Sequence, residues 1–204
     1  RLYIPNSGDI LFRGETILNT APHKIADIGI GRTFQNLALF STMSVLDNVM
    51  IGCHSRSKSD FVSNAFRLPW VSREEKWLQE VAWELIEYLD LGEFAYDPGG
   101  GLPFGIQKRV ELARAIASEP TLLLLDEPAG GLNHDEVDGL ANTIRQIGHD
   151  RNITVLLVEH HMSLVMAVSD LVVAIDFGRK IGEGTPAEVQ QNPEVIRAYL
   201  GTSD

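Results

Sequence analysis

The chain has 204 residues, of which 44% are hydrophobic and 22% charged, a composition typical of globular proteins that build one substantial core. Its formal net charge of −11 argues against a protein whose main task is to neutralise nucleic-acid phosphates, so we expect no nucleic-acid partner. The apolar runs are far shorter than the roughly 20 residues of a membrane-spanning helix. The single cysteine, Cys53, excludes an intramolecular disulfide.

Two strand-like segments and a short helix are predicted at the start of the chain, and helices are predicted to dominate its middle third. The predicted elements are, in order, a strand at 9–13, a short helix at 22–28, a strand-like segment at 30–36, a helix from 44 to about 50 and a long helix after 72. Ser44 is placed to cap the second of these helices, and Ser72 with Glu75 has the pattern of a capping box. The segment 56–70 shows neither helical nor strand periodicity and is interpreted as a loop-rich insertion.

The second half alternates aliphatic strands with helices, which predicts an α/β fold with a parallel sheet. The strands are predicted at 121–127, 153–160 and 171–176, and the helices at about 107–118, 135–148 and 161–168. A tail from 186 to 200 is predicted to hold two short helices.

Two carboxylates, Asp126 and Glu127, follow four leucines at the predicted end of a strand. Ligands bind at the carboxyl ends of strands in open parallel sheets. One carboxylate there can hold Mg²⁺, usually through water, while its neighbour orients or deprotonates an attacking water. The alternative is that both residues only end the strand and cap the turn at Pro128.

A glycine, Gly105, lies where a small loop leads into an amphipathic helix. Glycine permits close approach of the backbone, and the free N–H groups of a helix N-terminus favour an anion such as phosphate. Alone, this pattern fits an ordinary turn glycine better than an anion site.

Five segments in one order resemble the motifs of the ATP-binding cassette (ABC) family of ATPases. They are RTFQN, similar to the glutamine loop; LPFGIQ, similar to the signature; LLLLDE, the Walker B strand; GGLN, the D-loop; and VEHH, the switch histidine. The likeness is closer to the ATP-binding subunits of branched-chain amino acid importers. It rests on LNHDE, on EHHMSLVM and above all on the ending EGTPAEVQQNPEVIRAYLG.

The resemblance implies a role for each matching residue. Gln35 would sense Mg²⁺ and the γ-phosphate of ATP, Asp126 would support Mg²⁺, and Glu127 would polarise the attacking water. His160 would contact the γ-phosphate. The signature residues implied to act in trans on ATP are Leu102, Pro103, Phe104, Gly105 and Gln107, and the D-loop residues are Gly131, Leu132 and Asn133.

The resemblance also implies an architecture and partners. The fold would be a P-loop NTPase-like, RecA-like core with a helical subdomain, divided into a core remnant at 1–36, a helical subdomain with the signature helix at 37–118, the rest of the core at 119–184 and a helical tail at 185–204. The implied partners are a second ABC ATPase subunit, identical or not, two transmembrane permease subunits and, indirectly, a solute-binding protein. The protein would lie in the cytoplasm against the inner face of the plasma membrane.

One motif of the family has no match in the 204 residues, the phosphate-binding P-loop G-x-x-x-x-G-K-[ST]. We therefore expect that the first strands and the P-loop are missing, that the parent protein is an ATPase, and that these residues alone are inactive. A non-catalytic, cassette-like interaction module is the alternative. It is the less simple one, because Gln35, Glu127 and His160 are all present. A DNA-repair cassette is disfavoured, since no coiled coil or zinc module separates Gln35 from Leu102.

Overall fold

The computed structural model describes residues 5–33, 38–57 and 69–200. The chain forms two compact units: the first contains Arg1–Leu125 and Ile153–Leu156, and the second Asp126–Asn152 and Leu157–Asp204. The sequence-based division into 1–36, 37–118, 119–184 and 185–204 stays a prediction.

The first unit begins with a small antiparallel hairpin of β1 (Leu11–Phe12) and β2 (Glu15–Thr16). The helix predicted at 22–28 is wrong, because only a 3₁₀ turn at Pro22–Lys24 forms there. Gly29, with a φ of +92°, turns the chain into β3 (Ile30–Arg32) before a longer helix can develop. Glycine adopts this left-handed conformation without steric cost.

The described residues of the first unit then form the helices α1 (Val45–Gly52), α2 (Pro69–Tyr88) and α3 (Phe104–Ile116), with a 3₁₀ turn at Cys53–Arg56 after α1. The cap predicted at Ser44 is confirmed, since its hydroxyl accepts the N–H of Asp47 at 3.1 Å. The capping box predicted at Ser72 is wrong, because α2 already begins at Pro69. Most of the loop-rich segment predicted at 56–70 lies outside the described residues.

The helices α1 and α3 pack closely at Gly52, the last residue of α1. A Cβ at this position would lie 2.1 Å from the Arg114 carbonyl oxygen and 2.9 Å from the Ala117 Cβ. Neither distance is sterically possible, so the helices can approach this closely only because residue 52 has no side chain.

We predict opposite effects for two glycine-to-alanine substitutions in helices. Gly52→Ala forces α1 and α3 apart and should lower the free energy of unfolding by about 3 kcal/mol. At Gly139, in a helix of the second unit, an added Cβ would have no heavy atom within 4 Å. Gly139→Ala should therefore raise stability by up to about 1 kcal/mol through helix propensity. Urea unfolding of both variants measures this, and a Gly52→Ala variant as stable as the parent would contradict the close packing.

A parallel sheet carries the predicted carboxylates. It has the order β3-β4-β5, where β4 is Leu122–Asp126 and β5 is Thr154–Val158. Strands β3 and β4 are parallel, with Ile30 opposite Leu122. Leu123 and Leu125, which share one face of β4, are each 1% exposed, whereas Leu122 and Leu124 on the other face are half-buried. The predicted α/β fold is confirmed.

The second unit contains four helices and a hairpin among its described residues. They are α4 (His134–Asp150), α5 (Met162–Val168), β6 (Val172–Asp176), β7 (Arg179–Gly184), α6 (Pro186–Gln190) and α7 (Pro193–Leu200). Strand β6 was predicted, but its antiparallel partner β7 was not. In the ranges that the structure describes, no helix combines the length and apolarity needed to cross a lipid bilayer.

Candidate functional site

The two predicted carboxylates lie at the end of β4. Asp126 is the last residue of the strand, and Glu127 follows with a φ of +47°. This left-handed conformation costs a residue other than glycine roughly 1–2 kcal/mol. The Glu127 N–H donates to the Val158 carbonyl at 2.9 Å, and the Glu127 carbonyl accepts the N–H of Gly130 at 3.1 Å. The backbone is thus held in a strained geometry of the kind that clusters at functional sites.

The predicted switch histidine lies beside Glu127. His160 Nδ1 is 3.7 Å from Glu127 Oε1, and the two side chains are 66% and 36% exposed. His160 follows β5 and so reaches the same strand end as Glu127 from the neighbouring strand. The structure therefore brings together two residues that are far apart in sequence, and both remain accessible to a ligand.

A third acidic residue, Glu159, was not predicted to have a role of its own. Its side chain is 0% exposed. Oε1 accepts the N–H of Ala129 at 2.9 Å, and Oε2 accepts the N–H groups of His160 at 2.7 Å and His161 at 2.9 Å. An acidic residue directly before a histidine at a strand end is a sequence signal, but its burial and the bond to Ala129 depend on the fold.

The residues predicted as a D-loop form a turn that leads into α4. Gly131 has a φ of +83°, and the Leu132 N–H donates to the Ala129 carbonyl at 3.0 Å. Asn133 caps α4: its side chain accepts the N–H of Glu136 at 3.0 Å, and the Glu136 carboxylate accepts the N–H of Asn133 at 2.9 Å. This capping box fixes the direction in which the turn enters the helix.

The predicted signature lies at the start of α3, in the first unit. Pro103 is the N-cap and makes no side-chain cap bond, so Gly105 lies in the first turn, where backbone N–H groups are free for an anion. Gln107 Nε2 donates to the Leu102 carbonyl at 2.7 Å and thereby ties the loop to the helix. Phe104 is 42% exposed. The sequence predicts a helix that starts at about Gln107, but α3 begins three residues earlier, at Phe104.

Gln35 lies outside the described residues. The segments on either side of it line an open cavity of about 400 Å³, which includes Arg32, Ala38, Phe40, Ile51 and Arg114. The Arg114 guanidinium donates to the Ala38 carbonyl at 2.6 Å, and burial lowers the pKa of Arg114 below its usual range. Phe40 and Ile51 are 50% and 37% exposed, which makes the cavity partly apolar.

Metal binding at Asp126 depends on which other ligand side chains lie near it. Within residues 5–33, 38–57 and 69–200, no group of three or more His, Cys, Asp or Glu side chains could hold a metal ion. Mg²⁺ differs from structural metals in binding through one or two carboxylates together with waters and substrate phosphates. The lack of such a cluster among the described residues is therefore compatible with a Mg²⁺ ion that arrives with a phosphate ligand, and the assignment of Asp126 to that ion stays a prediction.

Two family models match the chain. The model described as "ABC transporter" matches residues 1–130. The model described as "Branched-chain amino acid ATP-binding cassette transporter" matches residues 179–204. Together they include the start of the chain, the Asp126 strand end and the tail.

Several known proteins are similar over nearly the whole chain. The high-affinity branched-chain amino acid transport ATP-binding protein BraF of Pseudomonas aeruginosa is 42% identical, over 98% of this chain and 78% of BraF. LivG of Escherichia coli K12, a protein of the same description, is 37% identical with the same coverage. Among solved structures, the ADP conformation of MJ1267, an ATP-binding cassette of an ABC transporter, matches with a TM-score of 0.79 and 28% identity, over 97% of this chain and 78% of that one.

Proposed function

The chain belongs to the ATP-binding cassette family of ABC transporters, and we propose that it is the ATP-hydrolysing subunit of an importer for branched-chain amino acids or related small polar solutes. The observation that carries the hydrolytic part is the contact between Glu127 and His160, 3.7 Å apart at one strand end. The substrate class is supported by the similarity to BraF and LivG and by the match at 179–204.

In the proposed reaction, a water molecule attacks the γ-phosphorus of ATP. A new P–O bond forms, the bond from the γ-phosphorus to the bridging oxygen breaks with its electron pair left on ADP, and the proton of the water ends on the inorganic phosphate or in solvent. The Glu127 carboxylate orients and polarises the water, and two backbone hydrogen bonds fix the main chain that carries it. His160, on the neighbouring strand end, donates a hydrogen bond to the γ-phosphate.

The metal proposed for this site is Mg²⁺, held by Asp126 and, in our assignment, Gln35. When bound, Mg²⁺ would neutralise charge on the phosphates. Asp126 suits this role because it ends β4 directly beside Glu127, which places a carboxylate for the ion next to one for the water.

The signature residues are proposed to act on ATP held by a second ATPase subunit. This assignment is supported by the free N–H groups in the first turn of α3, near Gly105, which suit a phosphate anion. The exposed Phe104 and the loop from Leu102 to Pro103 would then contact the opposite nucleotide. The turn at Gly131, Leu132 and Asn133 would complete the same subunit contact.

The cavity beside residues 32 and 38 is proposed to receive a cytoplasmic helix of a permease subunit. Its partly apolar lining, with Phe40 and Ile51 exposed, suits the apolar face of such a helix. Two permease subunits, and through them a solute-binding protein, would complete the importer. The cassette would then lie in the cytoplasm, against the inner face of the plasma membrane.

The test of this function is solute uptake by the transporter assembled in lipid vesicles from the complete gene product and its permease subunits. We expect ATP-dependent uptake of leucine, isoleucine or valine, and none with a non-hydrolysable ATP analogue. Urea and short amides are tested in parallel, because they are related small polar solutes. ATP binding without hydrolysis would favour a non-catalytic module, and hydrolysis coupled only to an unrelated solute would overturn the substrate class.

A further inference from the structure

One buried carboxylate connects two segments of the second unit that are 30 residues apart. Through Oε1, Glu159 holds the N–H of Ala129, and through Oε2 it holds the N–H groups of His160 and His161. Ala129 lies two positions after Glu127, and His160 is the next residue after Glu159. The carboxylate thus bridges the backbone that carries Glu127 and the backbone that carries His160.

The burial and the hydrogen bonds of the Glu159 carboxylate favour a rigid connection between the two segments. The Glu159 side chain is 0% exposed, and both of its oxygens are engaged by backbone donors. Hydrogen bonds from N–H groups to an ionised acceptor are stronger and shorter than neutral ones, and no water competes for a fully buried carboxylate. His160 Nδ1 also lies 3.7 Å from Glu159 Oε2, so the ring rests against the same group that holds its backbone.

We propose that Glu159 is a positioning residue for ATP hydrolysis: it sets the separation between the Glu127 carboxylate and the His160 ring. The proposal rests on the proposed function of Glu127 and His160. Glu159 makes no contact with the reacting atoms in this assignment. It acts by keeping the turn after β4 and the turn after β5 in one relative arrangement.

A purely local role is the competing explanation. His161 is the N-cap of α5 and makes no side-chain cap bond, so Glu159 could simply stabilise the start of this helix by accepting the N–H groups of 160 and 161. That role does not need the bond to Ala129. The two explanations therefore differ in what they predict for a substitution at Glu159. Only the positioning role predicts that the substitution alters the backbone at Ala129 and lowers the rate of hydrolysis.

The first measurement is amide hydrogen exchange in the complete gene product, comparing the parent with Glu159→Gln. Glutamine keeps the size of the side chain, but its NH₂ group cannot accept a backbone N–H. The single acceptor oxygen of glutamine keeps two bonds if it faces His160 and His161 but only one if it faces Ala129. We therefore expect faster exchange at Ala129, with unchanged exchange at His160, His161 and Leu123. Unchanged exchange at Ala129 would overturn the bridge.

The second measurement is ATPase kinetics of the assembled transporter. For Glu159→Gln we expect kcat to fall about 10- to 100-fold, because small misplacements of catalytic groups have effects of this order, with the KM for ATP changed less than about threefold. The matched control is Glu188→Gln, the same substitution at another carboxylate of this unit that accepts a backbone N–H, that of Thr185 at 2.7 Å. This control should keep the parent kcat.

A third variant keeps the test decisive if Glu159→Gln does not fold. Glu159→Asp retains the charge but is too short to reach both segments, so we expect a folded protein whose kcat is also reduced. A kcat within about twofold of the parent in a folded Glu159 variant would overturn the positioning role while leaving the parent ATPase intact. Absence of ATPase activity in the parent transporter would instead overturn the proposed function itself, together with this role.

Discussion

Glu127→Gln in the complete gene product should lower the rate of ATP hydrolysis about 10²- to 10⁴-fold, the usual contribution of a group that orients or deprotonates the attacking water. ATP binding should persist, because glutamine is isosteric and removes only the charge and the proton acceptor. An ATP-bound dimer should then accumulate. The measurements are steady-state ATPase activity, ATP affinity and size-exclusion chromatography with light scattering.

The matched control for this prediction is Glu194→Gln, the same substitution at an exposed position on α7, which should hydrolyse ATP at the parent rate. Glu127→Gly gives an independent check on the strain argument. Because Glu127 has a φ of +47°, glycine should raise stability by about 1 kcal/mol while hydrolysis is lost. Unchanged turnover in Glu127→Gln would remove Glu127 from the mechanism.

Patterns that involve only neighbouring residues were predicted well. Ser44 and Asp47 lie three positions apart and form a local cap that depends on little else, so the start of α1 was predicted correctly. The aliphatic run before Asp126 likewise identified β4. The cap predicted at Ser72 is wrong because serine followed three positions later by glutamate is also tolerated inside a helix. Here α2 begins at Pro69, before Ser72.

Features that depend on distant residues were missed. Strand β7 has the sequence RKIGEG, whose charges and glycines are unfavourable for a strand, and it forms because β6 supplies the pairing partner. Glu159 shows this dependence on distant residues more clearly. Its position beside His160 is visible in the sequence, but its burial and its bond to Ala129 exist only once β4 and β5 lie side by side.

The second substitution with a large expected effect tests the coupling of this ATPase subunit to the permease. Ile51→Glu places a carboxylate in the cavity proposed to receive the permease helix, and burying an unpaired carboxylate there costs several kcal/mol. We expect ATP-dependent uptake to fall at least about tenfold, since each 1.4 kcal/mol of lost docking energy corresponds to a factor of about ten, while the ATPase activity of the isolated subunit stays within about twofold. The matched control is Ile10→Glu, at an exposed position in the same unit, which should transport normally.

Crosslinking locates this docking surface directly. The only native cysteine, Cys53, is 0% exposed, and burial raises the pKa of its thiol above the usual 9.0, so it stays protonated and unreactive at neutral pH. A cysteine introduced by Ile51→Cys is then the reactive thiol of this subunit. We expect it to crosslink to a permease subunit in the assembled transporter, whereas Ile10→Cys does not. Crosslinks from position 10 but never from position 51 would place the permease on another surface and overturn the assignment.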